Sequence, residues 1–249
     1  MKRTLRLISI GLICFTYLAN ADAAVRVVAY NCANRPNNAT DEDQFRTVFQ
    51  AIGNQSVNGI AKRLDLLVMA EMDPGSVTRL TTVLNNLYNV NTYTNVLSSS
   101  VGGDSTGVIY DSNTLTLAGT AADLTTVGTH PILRAHFRPA GSTAANEQFY
   151  VYAIHLKSGD TASDIAQRAT EATNLRNDAD ALGQGAHIIY TGDFNSPAYT
   201  DYVEHVFQRR EEDVSYDTDR HLLFHLRWSA VRPKHQCQRL QPAVIWAHH

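Results

Sequence analysis

Residues 188–197, IIYTGDFNSP, run apolar and then deliver a carboxylate and a carboxamide, Asp193 and Asn195, before Pro197. On an extended backbone, positions i and i+2 project to the same side, so these two side chains can converge on one point. The same residues also suit a turn. Three further strand-like runs carry comparable groups: VVAYN ends in Asn31, DLLVMAE ends in Glu71, and VYAIHLKSG contains His155. Amide and carboxylate oxygens are the ligands that hard divalent cations take, and no Cys/His cluster has zinc spacing. A hard metal, a histidine and paired amide and carboxylate groups are what phosphoester cleavage requires. They neutralise developing charge, orient or deprotonate water, and support the phosphate or the leaving oxygen. Each residue alone has a plain structural reading. Asn31 can cap a turn, Glu71 can face solvent, and His155 can be a hydrogen-bonded core histidine. The conjunction is what points to a site.

Four strands must therefore bring their ends together. Residues 25–30 and 64–70 read as buried strands, and 132–137, 149–156 and 186–191 as further strands. Phe45, Val48, Phe49 and Ile52 have helical spacing within 41–53, with Asp41, Glu42 and Asp43 at the favourable N-terminal end. Pro74 and Gly75 precede a helix holding Val77, Leu80, Leu84 and Leu87. Residues 106–110 and 114–117 are expected to form a hairpin around Asp111, Ser112 and Asn113. Thr161 to Asp164 fit a capping box, opening a long Ala-rich helix that stops at Gly183 and Gly185. Strands interleaved with helices, several of them continuously apolar, predict α/β layering with sheets covered on both faces.

The chain has 249 residues, 44% hydrophobic and 18% charged, enough for one domain with a sizeable core. Residues 1–23 read as a secretory signal peptide. Lys2, Arg3 and Arg6 make a basic start, residues 7–18 are apolar, and Ala21-Asp22-Ala23 is a small-x-small cleavage pattern. The apolar stretch is shorter than the roughly 20 residues that span a bilayer, so export to the periplasm or the medium is expected rather than stable membrane insertion. Cleavage removes three bases and one acid, moving the formal charge from −3 to −5. No basic stripe of the kind that tracks a nucleic-acid backbone is visible, although a bound cation would reverse the local sign. Cys32 and Cys237, the two cysteines left after cleavage, do not make a disulfide framework.

On VVAYNCAN, DLLVMAEM, GVIYDS, VYAIHLKSG and YTGDFN, in that order, residues 25–196 resemble the endonuclease/exonuclease/phosphatase superfamily. The resemblance implies a four-layer α/β sandwich, with two mixed β-sheets flanked by helices. It implies Mg²⁺, with Mn²⁺ or Ca²⁺ as alternatives, held by Glu71 as principal ligand with Asn31 and Asp193. Asp193 and Asn195 would position and activate water, and His155 would contact the phosphate or assist the leaving group. The expected substrate is a phosphate ester, most simply a phosphodiester such as nucleic acid.

The superfamily's closing Ser-Asp-His motif, source of an acid/base pair, is absent from this sequence. Residues 24–208 are thus expected to form the superfamily-like domain, incomplete at its C-terminal end, and 209–249 an atypical tail, either frameshifted or divergent. The tail holds five of the ten histidines, both tryptophans and a formal charge of +2. A non-catalytic binding protein built on the same scaffold is the alternative function.

Overall fold

The computed structural model describes residues 25–57, 59–99, 104–124 and 130–196, so the expected leader and tail lie outside the described residues. In chain order the first elements are β1 (Val27–Asn31), α1 (Ala39–Asn54), β2 (Ser56–Val57), β3 (Ile60–Ala61), β4 (Leu66–Met72) and α2 (Pro74–Tyr88). Then come β5 (Tyr93–Leu97), β6 (Ser105–Asp111), β7 (Leu115–Leu117), β8 (Ala122–Leu124) and β9 (Ile132–Pro139). The last are β10 (Phe149–His155), α3 (Ala162–Ala181) and β11 (His187–Asp193).

Each helix begins where side-chain chemistry satisfies its free N–H groups. Asn38 accepts from the Asp41 amide ahead of α1. Asp73 accepts from the amides of Gly75 and Ser76, with Pro74 opening α2. Thr161 and Asp164 complete the expected capping box of α3. No helix among the described residues is long and apolar enough to cross a membrane.

The first sheet has the order β1-β4-β6-β5, with β1 and β4 parallel and the other pairs antiparallel. The second has the order β11-β10-β9-β7, with β8 also paired to β9, and there β10 and β11 are the parallel pair. Strand alternation sorts the apolar side chains into three layers of core. Val27, Leu66, Val68 and Val108 of the first sheet pack between the sheets against Leu133, Ala135, Phe137, Val151 and Ala153 of the second. Leu67, Met69 and Ile109 face the other way, onto Phe49 of α1 and Leu80 and Leu84 of α2. Tyr152 and Ile154 turn outward onto Ala172, Leu175 and Ala179 of α3. Two mixed sheets face to face, with helices on both outsides, form the four-layer sandwich that the resemblance implies.

One expected element differs. The segments around Asp111, Ser112 and Asn113 do not form a hairpin: β6 pairs with β4 and β5, whereas β7 pairs with β9. The turn itself is present, since the Asn113 and Thr114 amides donate to Asp111 Oδ1 and O. Asp111 is fully buried, however, and its carboxylate is held by Arg63 while its amide donates to the Asp65 carbonyl. These bonds anchor the end of β6 inside the first sheet, and the chain leaves the turn toward the second. The turn is a crossing between sheets.

Candidate active site

Parallel pairing puts the C-terminal ends of neighbouring strands side by side. Asn31, at the end of β1, stands in register with Ala70 of β4. His155, at the end of β10, stands in register with Asp193 of β11. Because β1 and β11 lie at the corresponding edges of the two facing sheets, all four strand ends meet in one place.

Glu71 reaches it through an irregularity in β4. Leu67 and Met69 belong to the helix-side core, and strict alternation would send residue 71 there too. The pairing of β4 with β6 shifts between Met69 and Met72, and Glu71 adopts a positive φ of 54°. This bulge inserts one residue, so that Met72 takes the buried helix-side position. Glu71 is thereby released from the core and left half-buried beside Asn31.

Asn31 ties the two sheets together at this point. Its Nδ2 donates to Glu71 Oε1 at 2.8 Å and to Asp193 Oδ2 at 2.9 Å. Carboxylates only accept, so the two hydrogens of the amide nitrogen are both committed to them. Its Oδ1 accepts from the Ala33 amide at 3.0 Å. His155 is buried, with Nε2 3.7 Å from Glu71 Oε1.

The Asp193–Asn195 pair is built by backbone conformation as well as by strand alternation. Gly192 has a φ of 134°, and a Cβ there would collide with the backbone of Ile154 on β10. Only glycine lets β11 approach β10 this closely beside the site. The Asn195 amide donates to Asp193 Oδ1 at 2.9 Å, and Asn195 Nδ2 donates to the Leu156 carbonyl at 2.8 Å. Asn195, at a φ of 48°, thus binds the end of β11 to the loop that follows His155. Every expected residue, Asn31, Glu71, His155, Asp193 and Asn195, lies at this junction.

Three further residues belong to it and carry no sequence signal of their own. His130 stacks on His155, with ring centroids 4.1 Å apart and planes 20° apart. Burial lowers its pKa first, and the neighbouring His155 lowers it further. Arg168 and Glu171, both buried on α3, hold the loop after His155 from beneath. Arg168 donates to the carbonyls of Lys157 and Gly159, and Glu171 accepts from the Lys157 amide at 2.8 Å. Sequence spacing places these two on one turn of an expected helix, but their partners are backbone groups that a sequence does not show.

Glu71, His155 and Asp193 offer ligand atoms that all lie within 4.8 Å of one another, a group able to hold a metal ion. Two carboxylates this close repel unless positive charge or N–H donors offset them. Asn31 supplies two N–H bonds, and the remaining oxygen lone pairs suit a hard divalent cation. In this geometry Asn31 braces the two acids through nitrogen instead of presenting its oxygen.

No family model matches the sequence, and no curated protein matches it. Solved structures do. A humanized D. rerio TDP2 is 18% identical, with a TM-score of 0.55 over 74% of this chain and 66% of that one. The human Nocturnin catalytic domain is 19% identical, with a TM-score of 0.55 over 74% and 68%. An endonuclease/exonuclease/phosphatase family protein from Bacteroides thetaiotaomicron is 16% identical, with a TM-score of 0.55 over 75% and 69%. The chain spans just under two thirds of the TDP2 structure's length. Its fold is that of the endonuclease/exonuclease/phosphatase superfamily.

Proposed function

We propose that this chain is an exported, Mg²⁺-dependent phosphoesterase that hydrolyses phosphodiesters by attack of water. The observation that supports it most directly is the convergence of Glu71, His155 and Asp193 within 4.8 Å at four strand ends. A D. rerio TDP2 of the same fold is solved with a single-strand DNA product, which makes nucleic acid the first substrate to try.

In this reading Glu71 and Asp193 hold the cation and Asn31 keeps their carboxylates in register. The cation, when bound, offsets negative charge that builds on the phosphate oxygens. The protein's own groups do the rest. His155 presents Nε2 toward the phosphate from a buried, water-poor position, which strengthens its electrostatic effect. Asp193 accepts a proton from the attacking water at a carboxylate oxygen. The water oxygen bonds to phosphorus as the bond to the leaving oxygen breaks, and the proton passes on to that oxygen. The products are a phosphomonoester and an alcohol. Asn195 fixes Asp193 through its backbone amide.

The absence of a Ser-Asp-His motif favours a second reading, a binding protein that keeps the scaffold without turnover. A panel of phosphodiester and phosphomonoester substrates, assayed with Mg²⁺ and with chelator, separates the two. Chelator-sensitive hydrolysis of a diester supports the enzyme. Saturable binding without turnover of any member supports the alternative. Export is checked by N-terminal sequencing of periplasmic or secreted material, where a start near Ala24 is expected and an intact Met1 would refute cleavage.

A further inference from the structure

A histidine that works through one ring nitrogen is ordinarily oriented by a hydrogen bond at the other. His155 lacks that bond: its Nδ1 is buried and has no hydrogen-bond partner among the described residues. What meets the ring instead is the face of His130, nearly parallel at a centroid distance of 4.1 Å. From this juxtaposition we infer that His130 is a positioning residue, holding the plane of the His155 imidazole so that Nε2 stays aimed past Glu71 into the site. The inference rests on the phosphoesterase reading of that site.

The stacking ring is itself firmly mounted. His130 directly precedes Pro131 at the entry to β9, which pairs with β10 along the strand that ends in His155. The fully buried Thr106 of β6 donates its hydroxyl to the Pro131 carbonyl at 2.9 Å, fixing that entry from the opposite sheet. One ring thus stands just ahead of β9 and the other at the end of β10, and the pairing of these two strands within one sheet sets their separation. His155, Asp104, Glu71 and Lys157 lie near enough for their charges to act on His130. Its contribution to His155 is steric: a flat surface that excludes rotation about the side-chain bonds. Any flat ring of similar size provides that surface, and a non-planar side chain does not.

The test compares His130→Phe, His130→Leu and His130→Ala in the full chain. With bis(p-nitrophenyl) phosphate and Mg²⁺, Phe is expected within about twofold of wild type. Leu and Ala are expected to lose kcat by about tenfold with KM changed by less than about twofold, a smaller loss than the ~10²-fold that a full 1 Å displacement costs. A second readout needs no turnover. In long-range ¹H–¹⁵N spectra of ¹⁵N-histidine-labelled protein, the His155 imidazole signals are those lost in His155→Gln. They are expected as one sharp set in wild type and His130→Phe, and as broadened or doubled sets in His130→Leu and His130→Ala. Should Ala not fold, the Phe and Leu pair carries the comparison. Phe as impaired as Leu, or Leu equal to wild type in both readouts, overturns the inference. If wild type hydrolyses no phosphoester, the functional reading fails, and the spectra alone still decide whether the stack holds the ring.

Discussion

Asn31 and Asp193 stand 162 positions apart in the chain, yet the amide of one donates to the carboxylate of the other at 2.9 Å. They end strands of different sheets, and the same amide nitrogen also holds Glu71. The bond therefore joins the two halves of the sandwich at the point where the acids gather. Replacing Asn31 with Asp removes both N–H donors and adds a third carboxylate. Each hydrogen bond to a charged group contributes about 1.5–3 kcal/mol, and like charges add repulsion. With two such bonds lost, and each kcal/mol shifting Tm by roughly 2–4 °C in a domain of this size, Asn31→Asp is expected to lower Tm in chelator by at least about 6 °C. Added Mg²⁺ should recover much of it, because a cation satisfies three acids better than two. Thermal unfolding with and without Mg²⁺ measures this; a variant equally stable in both would contradict the bracing role.

The second expectation separates charge from shape. Glu71→Gln keeps an oxygen that can accept from Asn31 Nδ2 but withdraws the negative charge. Hydrolysis should fall to the level seen with chelator, while circular dichroism and Tm stay near those of wild type. Full activity of Glu71→Gln at low Mg²⁺ would remove Glu71 from the metal site.

Much of this site was legible in the sequence, because parallel strands buried on both faces are written as apolar runs and their ends as abrupt changes of residue type. Asn31, Glu71, His155, Asp193 and Asn195 all stand at such changes. What was not legible depends on partners distant in sequence. The turn after β6 has the residues of a hairpin, and only the Arg63–Asp111 and Asp65 contacts show that it crosses between sheets. Strand alternation read literally sends Glu71 into the helix-side core, and the bulge that rescues it is a property of the β4–β6 pairing. β5 went unmarked because Thr94 and Asn95 interrupt its apolar pattern. His130 is one histidine before a proline until the fold lays it against His155.

Gly192 offers a test of how tightly β10 and β11 must approach. An L side chain there meets an unfavourable φ, costing of order 1–3 kcal/mol, and its Cβ also strikes the Ile154 backbone. Gly119 also has a positive φ, of 91°, but no atom of the described residues lies within 4 Å of its Cβ position. Gly119→Ala should therefore show the conformational cost alone. Gly192→Ala should lose clearly more stability and should also abolish hydrolysis, since the strands it forces apart carry His155 and Asp193. Parallel denaturant titrations report the difference; equal losses in the two variants would mean that β11 can shift without cost.

The last expectation concerns the buried acid beneath the His155 loop. Desolvation raises the Glu171 pKa, and the opposing hydrogen bonds from the Lys157 amide and Gln167 Nε2, with the attraction of Lys157 and Arg168, do not cancel it. A carboxylate whose folded pKa lies above its unfolded value binds protons more tightly when folded. Its contribution to stability is fully present below the unfolded pKa and is lost as pH rises through the folded one. Above that window the ionised Glu171 is a net cost, while Glu171→Gln keeps an oxygen to accept from the Lys157 amide and carries no charge. At pH 4 the variant and wild type should have similar Tm values, and at pH 8 the variant should be the more stable of the two. Arg168→Met, by contrast, strands the Lys157 and Gly159 carbonyls and should destabilise at both pH values. Thermal scans of both variants across this pH range decide it: a Glu171→Gln protein less stable than wild type at pH 8 would show that the pairing with Arg168 outweighs desolvation.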